Sequence, residues 1–221
     1  DGVDDYIEIP SSASLDAITT EITLMTWVKA NLGARQTMFD RYLADSPGFR
    51  SLEFDINEDG TMNFALSSDG QAATWLTSAN AIDSASWTHV AATSNGSTMK
   101  IYINGVLDPN TKTSPSSIFP TGKPIILGMW EFNADALESP LTGIMDEAKI
   151  YSRALSADEI REQYSIGSLV AHWPFEETSG TSTADVSGNG NDGTINGPVS
   201  ATGKIDLAFQ FDGVDDYIEK E

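Results

Sequence analysis

The 221-residue chain carries 33 Asp and Glu against 12 Lys and Arg, a formal charge of −21, which would repel a phosphate backbone and argues against nucleic acid as a partner. Its length suits one β-sandwich domain, it has no cysteine for disulfides or thiolate metal sites, and no run of residues is long and apolar enough for membrane insertion. The excess of carboxylates suits an extracellular, salt-rich or calcium-containing setting, and equally a plain solubilising surface.

In chain order, the first residues read as a polar strand motif, not as a charged and then hydrophobic leader. Asp1-Gly2 is a tight turn leading into a strand in which Tyr6 and Ile7 face opposite sides. In Glu21 to Ala30, Leu24, Thr26 and Val28 alternate with Met25, Trp27 and Lys29. Neither set is wholly polar, so this strand is expected between two covered surfaces, with Trp27 in the core. Asp55, Asn57 and Asp59 ahead of Gly60 begin like an EF-hand loop, but Leu66 stands where the closing Glu belongs, so a hairpin turn is expected. Trp87 to Thr93 and Thr98 to Ile103 flank Asn95-Gly96 as a hairpin, with Trp87 assigned to the core, and Asn104-Gly105 reverses the chain again. Leu107 to Pro124 shifts to Pro, Ser, Thr and Lys without a clear period, the composition of a long surface loop. Pro124 to Met129 reads as a core strand. Ser156 and Glu159 form a Ser-x-x-Glu capping box ahead of Ile160, Gln163 and Tyr164, which predicts the one short helix. Ser179 to Gly203 reads as a second long loop, richer in Gly and Asn.

Trp75, Trp130 and Phe132 are candidates to stack on sugar rings, because an aromatic face beside hydrogen-bonding groups supplies what a glycan needs. Trp130 and Phe132 straddle Glu131 just past a core strand, as residues at a rim do. The competing reading packs all three in the core. Asp185 to Gly193 concentrates carboxylates, side-chain amides and glycines, hard oxygen ligands suited to Ca²⁺; alternatively it is a glycine-rich turn whose Asn and Asp cap their own backbone. His89 and His172 lie in strand patterns beside Trp87 and Trp173 and read as structural. With no Cys nucleophile and no carboxylate pair that stands out, catalysis is not expected.

The octapeptide Asp1-Gly-Val-Asp-Asp-Tyr-Ile-Glu8 recurs as Asp212 to Glu219. Residues 1–164 read as the body of one fold and 165–221 as the opening strands of the same kind of fold, so 1–221 is expected to be a single domain in circularly shifted order. Identical strands compete for one slot, and the loser is free to pair elsewhere. Asp1, Tyr6 and Ile7, with Asp212, Tyr217 and Ile218, are therefore candidates for strand exchange, and copies of the chain or neighbouring repeats are the expected partners. Past the repeat, Ile9-Pro10 becomes Lys220-Glu221, a charged strand end that discourages unplanned pairing.

Several segments together resemble the laminin-G-like, concanavalin A-like jelly-roll family. Val170-Ala-His-Trp-Pro-Phe175, Asp185-Val-Ser-Gly-Asn-Gly-Asn-Asp-Gly193 and Phe209 to Tyr217 are similar to the opening of its members. Thr23 to Val28, Trp87 to Ala91 and Lys100 to Gly105 resemble the middle, and Gly143 to Tyr151 with Ala154 to Ile160 the end. The resemblance implies an all-β antiparallel sandwich, an extracellular or cell-surface location and a structural Ca²⁺ held by Asp185, Asn189 and Asn191, joined by Asp146. Two non-catalytic functions are then expected. The first is a structural or adhesive module of a tandem-repeat or filament-forming surface protein, assembled by strand exchange. The alternative is a carbohydrate-binding module of a secreted polysaccharide-active protein. The duplicated strand favours the first, because a binding module gains nothing from a second copy.

Overall fold

The computed structural model describes residues 5–42, 50–133, 136–166, 169–203 and 206–220; the predicted site residue Asp1 lies outside them. The chain forms two compact units, 1–164 and 165–221. Unit 1 contains β1 (Ile7–Ile9), α1 (Ala13–Asp16), β2 (Ile22–Ala30), β3 (Gln36–Tyr42), β4 (Arg50–Ile56), β5 (Thr61–Ser67), β6 (Ala73–Ala81) and β7 (Thr88–Ser94). It continues with β8 (Thr98–Ile103), β9 (Val106–Thr113), β10 (Ile125–Leu127), β11 (Trp130–Asn133), β12 (Ala136–Glu138), β13 (Gly143–Tyr151) and α2 (Ala157–Ile166). A six-stranded antiparallel sheet runs β1-β10-β3-β4-β5-β6, a five-stranded one β13-β2-β7-β8-β9, and β11 and β12 form a separate hairpin.

Strand alternation decides what each face meets. Leu24 and Val28 of β2, Val90 and Ala92 of β7 and Ile101 of β8 share one buried cluster with Phe39, Phe54 and Phe64 of the other sheet, so the two sheets pack face to face as an antiparallel sandwich. Intervening residues of β2, β7 and β8 are buried too, on the other side of the five-stranded sheet. There Met25, Ala91 and Tyr102 meet Leu155 and Ile160 of the α2 segment, and the Trp27 ring stacks on Tyr164 at 5.6 Å and meets His89 edge-on at 5.4 Å. Burial, and then the nearby Lys149 charge, lowers the His89 pKa to about 4, which keeps it neutral and marks it as part of this packing. The α2 capping box closes as its sequence predicts: Ser156 N–H donates to Glu159 Oε2 at 2.8 Å, and Glu159 N–H to Ser156 Oγ at 3.3 Å.

Four expectations need correction. Leu107 to Pro124 is not loop throughout, because β9 occupies its first part; β9 is a sheet-end strand, where Pro109 and exposed polar residues cost no ladder bond. Trp87 is 45% exposed, since it precedes β7 and escapes the alternation that buries the strand. The short α1 was not expected; it is one turn, capped by Ser12 Oγ accepting the Leu15 N–H at 3.4 Å. Ser179 to Gly203 contains three short strands of unit 2.

Unit 2 is built from β14 (Ser182–Thr183), β15 (Gly193–Asn196), β16 (Val199–Thr202), β17 (Leu207–Gln210) and β18 (Tyr217–Glu219). The order β14-β15-β18 makes one antiparallel sheet, and β16 pairs with β17 in another. Phe175 and Phe209 pack at 5.3 Å. Apart from Pro198, none of its apolar side chains among the described residues is buried. The two copies of the octapeptide therefore contribute to different sheets: Ile7–Ile9 pairs with β10, and Tyr217–Glu219 with β15.

Phe54 is fully buried between Phe39 and Phe64. Phe54→Ala removes the ring that touches both, and is expected to lower unfolding stability by about 3–5 kcal/mol, measured by urea denaturation.

Candidate functional site

The outward face of the six-stranded sheet has no helix packed on it among the described residues, and it carries charge. In β4, Leu52, Phe54 and Ile56 face the core, so Ser51, Glu53 and Asp55 face outward. Register places Asp40, Glu53, Ala65 and Trp75 in one cross-strand row over β3, β4, β5 and β6, with Thr37, Asp55, Asn63 and Thr77 in the next. Asp40, Glu53 and Asp55 are all fully buried.

Arg35, immediately before β3, covers this acidic row. Its Nη2 donates to Glu53 Oε1, and its Nε and Nη2 donate to Asp55 Oδ2 at 3.1 and 2.5 Å. Its guanidinium carbon lies 5.7 Å from the centroid of the Trp75 ring and 5.2 Å from that of Trp130, both within cation–π range. The Arg35 side chain is 34% exposed and Trp75 38%. The arrangement is thus a guanidinium pinned from below by carboxylates and bordered by two indoles, with solvent above.

Electrostatics fix the protonation. Burial, then the adjacent Asp55 charge, pushes the Glu53 pKa up to about 10 against the opposing pull of Arg35. Burial also raises that of Asp55, while Arg35 pulls it down. At neutral pH Glu53 keeps its proton, and Arg35 lies against both carboxyl groups.

Sequence reading found Trp75 and Trp130 and missed Arg35, Glu53 and Asp55. Asp55 had been noticed only as the start of a turn. The β4–β5 turn does form, at Asn57 to Gly60, where Asn57 N–H donates to Thr61 O at 2.8 Å and Gly60 takes φ +85°; Asp55 lies before it, in the strand. Phe132 belongs to β11, and its side chain lies outside the described residues.

The predicted calcium ligands of unit 2 are engaged with the backbone of their own loop. Asp185 accepts three backbone N–H groups, from His172 (2.8 Å), Ser187 (2.9 Å) and Asn191 (2.9 Å), and these hydrogen bonds outweigh burial to hold its pKa well below the usual carboxylate range. Donors, which a cation would face unfavourably, already converge on both its oxygens. The Asn189 and Asn191 amides donate to the Leu169 and Val170 carbonyls. Asp146 belongs to unit 1, on β13, where its Oδ1 accepts the Glu147 N–H at 2.8 Å. Asp212 and Asp216 serve a turn: Asp212 Oδ1 accepts the Val214 N–H and Asp216 Oδ2 the Asp212 N–H, at 2.8 and 2.7 Å. With Asp215 their carboxylate oxygens lie within 4.8 Å of one another.

The family model for the concanavalin A-like lectin/glucanases superfamily (Laminin_G_3) matches residues 1–161. No curated protein matches the chain. Among solved structures, the chain is similar to the sialidase CBM40 of Ruminococcus gnavus bound to α2,3-sialyllactose, with TM-score 0.58, 19% identity, and 73% of this chain and 97% of that one covered. It is similar to domain 4 of AbnA, an extracellular GH43 arabinanase from Geobacillus stearothermophilus, in complex with arabinotriose (TM-score 0.52, 23% identity, 71% of each chain). The binding domain of Paraclostridial Mosquitocidal Protein 1 aligns over 97% of this chain and 59% of its own, with TM-score 0.55 and 15% identity. Identities this low show the fold alone.

Because the folded pKa of Glu53 lies far above its ordinary 4.5, the folded chain holds a proton that the unfolded chain releases. This contribution to stability is complete below about pH 4.5 and is lost as pH rises toward about 10. Glu53→Gln is expected to flatten that decline, read as a shallower fall of the urea midpoint with pH; an unchanged slope refutes the assignment.

Proposed function

We propose, from the premise that the chain belongs to the concanavalin A-like lectin/glucanase superfamily, that unit 1 is a non-catalytic carbohydrate-binding domain whose ligand sits on the face formed by Trp75, Arg35 and Trp130. The observation that carries this reading is the pinned guanidinium beside two indoles. An indole face stacks on the C–H face of a pyranose or furanose ring, while guanidinium N–H groups donate to hydroxyl oxygens. Glu53 and Asp55 hold Arg35 in place, so it does not reorganise on binding. The glycan complexes named for two of the structural relatives support a sugar ligand. Arg35 already donates to two carboxyl groups, and the chain carries a charge of −21, so a neutral sugar suits this face better than an acidic one. A binding role outside the cell follows from the same family, and no helix among the described residues is long and apolar enough to cross a membrane.

A second reading is favoured by the duplicated octapeptide: a structural or adhesive module that assembles with copies of itself or with neighbouring repeats. The two readings are compatible, because the binding face and the duplicated strand use different parts of the sheet. Calcium is a separate and weaker proposal, for the 185–191 loop alone. A cation there must displace the N–H groups that Asp185 now accepts, so the affinity suits an extracellular module at millimolar calcium.

Trp75→Ala and Arg35→Ala are expected to weaken binding of neutral oligosaccharides by about tenfold, the equivalent of about 1.4 kcal/mol, measured by calorimetry across a panel of neutral and acidic sugars. Binding that is unaffected by both substitutions places the ligand elsewhere; no binding to any sugar removes the reading. For calcium, the melting temperature is expected to rise slightly with millimolar Ca²⁺ relative to chelator, and an unshifted melt rejects it.

A further inference from the structure

The two copies of the repeated strand are each the end strand of their sheet, and they use opposite edges. The peptide plane between Leu127 and Gly128 sends its N–H to the Met38 carbonyl of β3 at 3.2 Å, so the Leu127 carbonyl points the other way, toward β1. Leu127 faces Ile7, and Ile125 faces Ile9. By strand alternation, Ile7 and Ile9 bond β10, while Tyr6 and Glu8 turn their N–H and C=O groups to the free edge. In unit 2 the Ile195 N–H goes to the Thr181 carbonyl at 3.0 Å, so the Thr194 carbonyl points toward β18. There the bonding residues are Tyr217 and Glu219, opposite Asn196 and Thr194. These are the copies of Tyr6 and Glu8, the residues whose polar groups β1 leaves unused.

The faces agree as well. Ile9 packs against the sandwich core, and Ile7, two residues away, shares its face. Ile218, the copy of Ile7, lines an open pocket in unit 2 with Trp173, Phe175, Gly193, Phe211 and Lys220. One side of the same strand therefore meets apolar surface in both settings. Unit 2 needs more of it: Phe211 is 46% exposed and Val170 76%, and so small a sheet pair without a buried apolar core is marginal alone.

We propose that unit 2 of one copy receives the strand Tyr6–Ile9 of a second copy, which stays on its own β10 and replaces Tyr217–Lys220 beside β15. The product is one continuous sheet in the order β14-β15-β1-β10-β3-β4-β5-β6, its last six strands drawn from the second copy. Tyr6, Ile7 and Glu8 are identical to Tyr217, Ile218 and Glu219, so the exchange sets the same three side chains beside β15. The residue after them differs in favour of exchange: Lys220, now bonded to Asn191 Oδ1 and to the Gly190 carbonyl at 3.3 Å, gives way to Ile9 beside an aromatic pocket. This inference deepens the assembly reading above and rests on it, and is independent of sugar binding.

The chain contains no cysteine, which makes a disulfide a clean probe. In the exchanged sheet Ile7 stands opposite Ile195 as a non-hydrogen-bonded pair, with Cα atoms about 4.5 Å apart, within disulfide reach. Full-length chains carrying Ile7→Cys and Ile195→Cys separately are mixed, oxidised and run without reductant, and the unsubstituted chain is weighed by light scattering over a concentration series. Expected are a cross-linked heterodimer and a species of about twice 23.7 kDa or more that grows with concentration. A third chain lacking residues 217–221 has lost the resident competitor and is expected to assemble more readily. Assembly without the cross-link, in variants whose circular dichroism matches the parent, overturns the strand placement and leaves the assembly reading standing. A single species near 23.7 kDa at every concentration overturns both. A cross-link that forms only within a chain carrying both cysteines shows that the strand comes from the same copy and overturns exchange between copies.

Discussion

The architecture depends on one constraint: β2 is apolar on both faces and must be covered twice. Ile22, Leu24 and Val28 face the opposing sheet, while Met25 and Trp27 face away from it. A two-sheet sandwich satisfies only the first set. The second is satisfied by α2 and the turn before it, which bring Leu155, Ile160 and Tyr164 onto the outer face. The capping box at Ser156 is therefore more than a local signal, since it fixes where the covering helix begins. His89 is neutral for the same reason: it lies under that cover.

The other sheet solves the same problem differently. Its inner face carries Phe39, Phe54 and Phe64, but its outer row carries Asp40, Glu53 and Asp55. Buried carboxylates without counter-charge are strongly unfavourable. Here Glu53 keeps its proton, one guanidinium donates to both Glu53 and Asp55, and two indoles border the guanidinium. The three carboxyl groups are themselves fully buried, and the solvent contact of this face comes through Arg35 and Trp75.

The sandwich was legible because its signals are local. Alternation in Glu21 to Ala30, the Asn-Gly reversals and the Ser-x-x-Glu box each name an element without its partners. The order of segments within the resemblance then supplied the fold. The site was half legible: Trp75 and Trp130 stand out as aromatic residues in polar surroundings, whereas Arg35, Glu53 and Asp55 become one unit only when register aligns two separate segments. A clue was present in β4, where two carboxylates alternate with Leu52, Phe54 and Ile56, because charged residues on one side of so apolar a strand need a partner. Asp185 was legible only as a choice between two readings. Oxygen-rich loops suit calcium by composition, but the same Asp and Asn side chains can serve their own backbone, and sequence does not say which way the nearby N–H groups point. Trp87 failed for a simpler reason, since one position before a strand is enough to leave its burial pattern.

The repeated strand and the Arg35 face occupy different parts of one sheet. In the order β1-β10-β3-β4-β5-β6, the Arg35 face spans β3 to β6, with Trp130 contributed by β11, and β1 stands at the far end. In the proposed assembly, β15 and β14 would lengthen the sheet beyond β1 and leave the proposed binding face clear. Hydrogen bonding is directional, so an end strand can be extended only by a segment that presents the complementary set of N–H and C=O groups. Tyr6 and Glu8 present that set outward on β1, and Tyr217 and Glu219 use the same set on β15. In the proposed exchange, repetition of an identical strand would make the junction between copies the same as the contact each unit already holds, so that assembly would require no second recognition surface.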